Sequence, residues 1–210
     1  MLYPFIFANK GAWPVNNIDI CNLALSYIGK GMIDSLEERN ENARQCKLHY
    51  DHQRQMLLRD YDWGFARRIT NLAEVNAEIP GWKHVYKYPA KCLAIRRIFP
   101  QQSCNLARHK DEYTVMIINE SDKVLCCNKE AAQVEYTYDI TNADLFPNEF
   151  NEALARALAA ALAIPLSGSN TAQQTQYQLM QLALNKAHVS DAKEQEWEQK
   201  YYDDYINARR

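Results

Sequence analysis

Asn17-Ile-Asp-Ile-Cys-Asn-Leu-Ala-Leu-Ser-Tyr-Ile-Gly29, followed by a turn, a long charged segment over 41–61 and the knot Trp63-Gly64-Phe65-Ala66, decides how this chain reads. Cys21, Ala24, Leu25 and Ile28 recur at i, i+3, i+4 and i+7, which predicts an amphipathic helix over 18–28. Asn17 is its expected N-cap, since its side-chain oxygen can accept from free backbone N–H groups. Gly29 supplies a left-handed exit. A second helix is expected over 41–61 with Asn40 as cap. Ala43, Cys46, Tyr50, Leu57 and Tyr61 mark its buried stripe, and Glu38, Arg39, Arg44, Lys47, Asp51, Arg54 and Arg59 take the remaining surface. Trp63 and Phe65 then plug the end of the helix pair. No reactive group stands out in the stretch, so the leading reading is packing and assembly, not catalysis.

Beyond this pair, residues 67–110 read as an extended connector punctuated by Pro80, Pro89 and Pro100, with one strand around Leu93, Ile95 and Ile98. Tyr113 to Ile118 is a strand, Asn119 to Asp122 a hairpin turn, Lys123 to Cys127 the return strand, and Val134 to Tyr138 a further strand with strict alternation. Cys126 and Cys127 are expected on opposite faces. A third helix starts near Asn148 and is expected to end before Pro165. Phe150, Leu154, Ala157, Leu158 and Ala161 line one side, and its alanines allow close packing on several faces. Glu152 precedes Arg156 by four residues, the favourable order for a surface pair. A fourth helix follows Ser169-Asn170, with Tyr177, Met180, Leu184 and Ala187 as its stripe. Trp197, Tyr201 and Tyr205 form a second stripe in a charged tail. Helix over 171–197 is about 40 Å long at 1.5 Å per residue, so its end is expected to project.

The fold class expected is mainly α with a β insertion (α+β): an antiparallel helix bundle carrying a small antiparallel β-sheet, with a long projecting C-terminal helix. Its parts are an N-terminal arm over 1–16, a helix bundle from 17–66 and 147–196, a connector and β-rich insertion over 67–146, and a C-terminal docking tail over 197–210. The arm reads equally as a strand or loop on the body and as a segment docking on a neighbour.

With 47% hydrophobic and 24% charged residues, the chain is expected to be globular and soluble. The net charge of −2 argues against general coating of nucleic acid. The best apolar run, 153–164, is interrupted by Arg156 and is shorter than the roughly 20 residues a membrane span needs. The opening residues carry no basic segment and contain Pro4, so no signal peptide is read there. The six cysteines show no CxxC pair and read as reduced thiols.

Cys46, His49 and His52 lie at i, i+3 and i+6, which spreads three ligands too far around a helix for one metal. No GxSxG, HExxH or phosphate-binding glycine loop occurs. Glu37-Glu38, Asp60/Asp62 and Asp203-Asp204 are sequence-adjacent acids without a dyad signature. The segment 79–110 holds Lys83, Lys87, Lys91, Arg96, Arg97, Arg108 and Lys110, no acid, and the aromatics Trp82, Tyr86 and Tyr88. Two readings stand: a patch facing nucleic-acid phosphates, or a solvated surface meeting an acidic partner. Lys83, Lys87, Lys91, Arg96 and Arg97 are its candidate residues. Trp197, Tyr201, Tyr202, Tyr205 and Arg209 are the candidate partner interface, because spaced aromatics in a charged helix suit a groove. Packing on their own domain is the other reading.

With those residues in view, the chain resembles the tail tubular protein A family, the head-to-tail adaptors of short-tailed phages. The matching pieces are Asn22-Leu-Ala-Leu with Ile28-Gly29, Ile33-Asp-Ser-Leu36, Ala43 with the long helix to Trp63-Gly-Phe-Ala66, and Leu72-Ala73. Trp82, Tyr86, Tyr88-Pro89 and Tyr138-Asp139-Ile140 follow, then Phe150, Leu154 and Leu158-Ala-Ala-Ala-Leu-Ala-Ile-Pro165-Leu166. The resemblance spans about 17–200 and rests on order and spacing. It implies a helical bundle with a β-rich insertion, assembled as a homo-oligomeric ring of twelve copies. One side grips the portal protein, the other receives the tail nozzle, and DNA passes through the lumen without sequence specificity. It implies a virion location after assembly in the host cytoplasm, no cofactor, no membrane and no catalytic motif. Residues 1–16 depart from the family pattern. A tail-associated polysaccharide or peptidoglycan hydrolase and a DNA-contacting packaging factor are the alternatives.

Overall fold

The computed structural model describes residues 15–100 and 112–194. Among these the chain is α+β, with four α-helices and two antiparallel three-stranded sheets. Helix α1 (Asn17–Tyr27) starts at its expected cap, one residue earlier than expected. The cap is Asn16, whose Oδ1 accepts from the N–H groups of Ile18 and Asp19 while Asp19 accepts from the Asn16 N–H. Two adjacent asparagines made the position ambiguous, and the reciprocal bond to Asp19 selects the first. Gly29 leaves the helix at φ 68°, in the left-handed region.

Helix α2 (Glu41–Asp60) is capped by Asn40, whose side chain accepts from the Ala43 N–H. Its buried stripe is Ala43, Cys46, Tyr50, Arg54, Leu57 and Leu58. Arg54, expected on the surface, is therefore a core residue. Tyr61 is only half-buried and closes the helix.

Helix α3 (Asn148–Ser167) runs through Pro165, contrary to the expected stop, and ends at Gly168 with φ 64°. A proline removes one helical N–H, and Pro165 lies on an exposed face where water can take the freed carbonyl of Ala161. Ala153, Ala155, Ala159 and Ala163 are all fully buried, and the helix packs against α1, α2 and α4 (Asn170–Glu194). Small side chains on several faces let three helices approach one. Ser169, not Asn170, caps α4, accepting from the Ala172 N–H at 3.1 Å.

The strands fall into two sheets where one was expected, and the segment 67–100 supplies half of them. Strands β1 (Arg67–Asn71), β6 (Ala132–Tyr138) and β3 (Cys92–Pro100) form the first, in the order β1-β6-β3. Strands β2 (His84–Lys87), β5 (Asp122–Cys127) and β4 (Tyr113–Ile118) form the second, in the order β2-β5-β4. The β4–β5 hairpin turns on Asn119 and Glu120, both at positive φ, which matches the twist of the flanking strands. Tyr86, Leu125 and Cys127 of the second sheet pack against Ile98, Val134 and Tyr136 of the first. Cys126 points the other way, to Val85 and Val124 under the cover of Val75, Ile79 and Trp82. The two cysteines thus take opposite faces of β5. Both faces of β6 are covered, so Glu135 and Thr137 are buried as well as Val134 and Tyr136, and alternation there does not mark a solvent face.

The helical core holds Cys21 and Cys46 side by side. The Cys21 thiol is held above its ordinary range by its hydrogen bond to Cys46 and then by burial. Burial also raises Tyr50, Tyr86, Tyr88 and Tyr136 above the usual phenol value. Burial, together with the bond its hydroxyl donates to Glu152, pushes Tyr27 from 10.0 to about 12. Between these two values the folded chain holds protons that the unfolded chain has released, so stability is full below pH 10 and falls as pH rises toward 12. A urea titration followed by circular dichroism should therefore show its midpoint dropping from about pH 10.0 upward, in step with tyrosinate absorbance. A midpoint flat over that window contradicts the burial of these hydroxyls.

Candidate functional site

The five cations expected to form one patch divide into two groups. Lys83, Lys87 and Lys91 are exposed, at the start of edge strand β2, at its end, and in the turn leading to β3. Lys123 of β5 lies nearby with its ammonium 3.9 Å from the Tyr88 ring centroid. These lysine head groups are hydrated and available for phosphate contacts.

Arg96 and Arg97 are turned inward. The β3–β6 register slips between Ile95 and Arg97, so Arg96 is the extra residue of a β-bulge. The bulge puts both arginines on the face of Glu135 and Thr137. Arg96 donates to Thr137 Oγ1 at 2.8 Å and to the carbonyls of Arg59, at 2.9 Å, and Tyr61. It thereby satisfies acceptors that the C-terminus of α2 leaves open and sets a cation where the helix dipole favours one. Arg97 meets Glu135 at 2.9 Å, and Arg67 meets the same carboxylate at 3.2 Å. Arg96 therefore joins the sheet to the end of α2, and Arg97 ties β3 to β6 within the sheet. Of the interleaved aromatics, Tyr86 is buried with its hydroxyl donating to the Lys129 carbonyl at 2.7 Å, and Trp82 and Tyr88 are half-buried.

Two further polar nodes tie the elements together. Arg54 of α2 donates to Asp139, to the Ile140 carbonyl and to Asp51, the last at 3.1 Å. Arg156 of α3 meets Glu152 at 2.9 Å and Gln176 of α4 at 3.0 Å, and its guanidinium lies 3.4 Å from the centroid of the Tyr27 ring. The Glu152–Arg156 pair is thus part of a junction of α1, α3 and α4 and more than a surface pair.

Cys46 faces the core and His52 is exposed, so they do not converge. Among the described residues, no group of three His, Cys, Asp or Glu side chains is placed to hold a metal ion. No helix among them is long and apolar enough to cross a membrane. Trp197, Tyr201, Tyr202, Tyr205 and Arg209, with Arg108, Lys110 and residues 1–14, lie outside the described residues.

The helical surface carries what the sequence stripes did not indicate. A groove of about 580 Å³ runs between α2 and α4 with α3 as its floor. Ala157, Ala160 and Ala161 form the floor, and Met56 and Leu57 face Tyr177, Met180 and Leu184 across it. Tyr177, expected in the buried stripe, is 55% exposed at the groove's edge. On another flank of α4, Leu182 is 59% and Val189 56% exposed, with Leu179 beside them. The spacing of these three was legible as a stripe, but it interleaves with a second stripe of the same period.

No family model matches the chain, and no curated protein sequence matches it.

Proposed function

We propose that this chain is a structural, non-catalytic head-to-tail adaptor of a short-tailed bacteriophage virion. Copies close into a ring, twelve on the pattern of the family it resembles, between portal and tail nozzle. DNA passes through the lumen without sequence readout. The helices act as an antiparallel bundle, and the end of α4 projects to carry the docking tail with Trp197, Tyr201, Tyr202, Tyr205 and Arg209. Lys83, Lys87 and Lys91 face the DNA or an acidic neighbour.

The supporting observation is the apolar surface on two flanks of the helical layer. Met56 and Tyr177 stand open along the groove, and Leu179, Leu182 and Val189 on the other flank. Contiguous apolar surface of this kind marks contact sites. The core nodes are ion pairs and capping bonds that join elements, which suits a scaffold.

Co-expression with the portal protein of the phage that encodes it, followed by negative-stain imaging, tests the reading. A ring on the portal is expected for the full chain. A chain lacking 197–210 should keep its circular dichroism melt and lose the complex. A full chain that gives neither ring nor complex discards the adaptor.

A further inference from the structure

We infer that the subunit contact is made head to tail by two different flanks of α4. The ridge Leu179-Leu182-Lys186-Val189 of one copy seats in the groove between α2 and α4 of the next. This rests on the ring reading above and names its interface.

The ridge has the spacing of a helix-packing seam. Leu179, Leu182, Lys186, Val189 and Lys193 follow one another at intervals of three, four, three and four. All five point away from the buried stripe of Met180, Ala183, Leu184 and Ala187. The groove has the complementary form. Its alanine floor lacks side chains that would hold a helix off, and helices packed through small residues approach to roughly 8 Å between axes. Met56, Leu57, Tyr177 and Met180 supply apolar walls for the leucines.

Charge selects this pairing over the others. The groove's one charged lining residue is the carboxylate Asp60, among Gln53, Gln173, Gln174 and Gln181. The ridge carries Lys186 and Lys193. Glu149 and Glu152 rim that flank, and Glu152 is already held by Arg156 and Tyr27. Packing ridge against ridge sets lysines against lysines. The chain's own segment 195–210 holds Glu196, Glu198, Asp203 and Asp204 against Lys200, Arg209 and Arg210, a slight acidic excess that gives Asp60 no net opposite charge. A second copy's ridge brings opposite charge.

The two flanks lie roughly 160° apart around α4 at 3.6 residues per turn. One pair of copies therefore leaves a ridge and a groove unused, and association continues until the rotation closes.

Cross-linking between two variants reads this contact directly. A tagged Gln53→Cys chain is mixed with an untagged Val189→Cys chain and treated with a bismaleimide, with the wild type setting the background from its native cysteines. A tagged–untagged product well above that background is expected. Leu182→Glu or Met56→Glu, both on exposed side chains, should cut its yield roughly tenfold while the thermal melt stays in place. Asp60→Lys should lower the yield, and Lys186→Glu in the partner chain should restore it. A product no greater than background, or one indifferent to Leu182→Glu, overturns the proposal. So does a product that forms only after 195–210 is removed, since the chain's own tail then fills the groove. Rings on the portal without this cross-link keep the adaptor and discard the interface. The cross-link without portal assembly keeps the interface and discards the adaptor.

Discussion

Arg54→Ala should lower the unfolding free energy by about 3–5 kcal/mol, the cost of breaking a buried ion pair from one side. Arg54 is 1% exposed, and its guanidinium reaches Asp139, the Ile140 carbonyl and Asp51 at once. Removing it leaves the Asp139 carboxylate and the carbonyl without their cation at the seam between α2 and the chain leaving β6. Gln55, which donates to Asp139 at 2.9 Å, compensates in part. The double variant Arg54→Met with Asp139→Asn removes both charges and keeps volume, so it should recover most of the loss. Chemical denaturation of the two variants provides the check. A single variant within about 1 kcal/mol of wild type would remove Arg54 from the core.

Trp63→Ala should cost a similar amount, about 3–5 kcal/mol, by leaving a large cavity. Trp63 is also 1% exposed. Its ring meets Phe150 edge-on at 5.1 Å, Tyr61 at 4.9 Å and His188 of α4 at 5.0 Å. Its Nε1 donates to the Leu57 carbonyl at 2.8 Å, within the last turn of α2. One side chain thus fills the junction of α2, α3 and α4 and satisfies a carbonyl. The Gly64 N–H that follows donates to buried Asp191 of α4, which fixes the far end of that helix on the same knot. Trp63→Phe keeps most of the volume and loses the hydrogen bond, so it should cost only about 1–2 kcal/mol. Equal losses for the two variants would mean that the ring's volume does not matter there.

The local elements were legible because their signals are local. Asn40 caps α2 through a bond to a residue three positions on, and a turn with two left-handed residues closes β4 onto β5. Trp63 and Phe65 read as a plug because large aromatics after a helix have few other uses. The candidate site was less legible. Arg96 and Arg97 looked like surface cations, since nothing in the sequence marks the bulge that turns both inward. Arg54 looked like surface for the same reason: its partners Asp139 and Ile140 lie 85 and 86 positions away.

Sequence by itself determined the α+β class, most helix and strand spans and the large aromatic plug, because periodicity and caps act over a few residues. Sequence stripes also marked the inner sides of α1, α2 and α3, and tertiary structure decided the inner side where stripes compete or partners lie far along the chain. On α4 two stripes of equal period interleave, one through Met180, Leu184 and Ala187 and one through Leu179, Leu182 and Val189. Only the position of α3 buries the first and leaves the second open, because burial is a property of neighbours and not of the helix that carries the side chains.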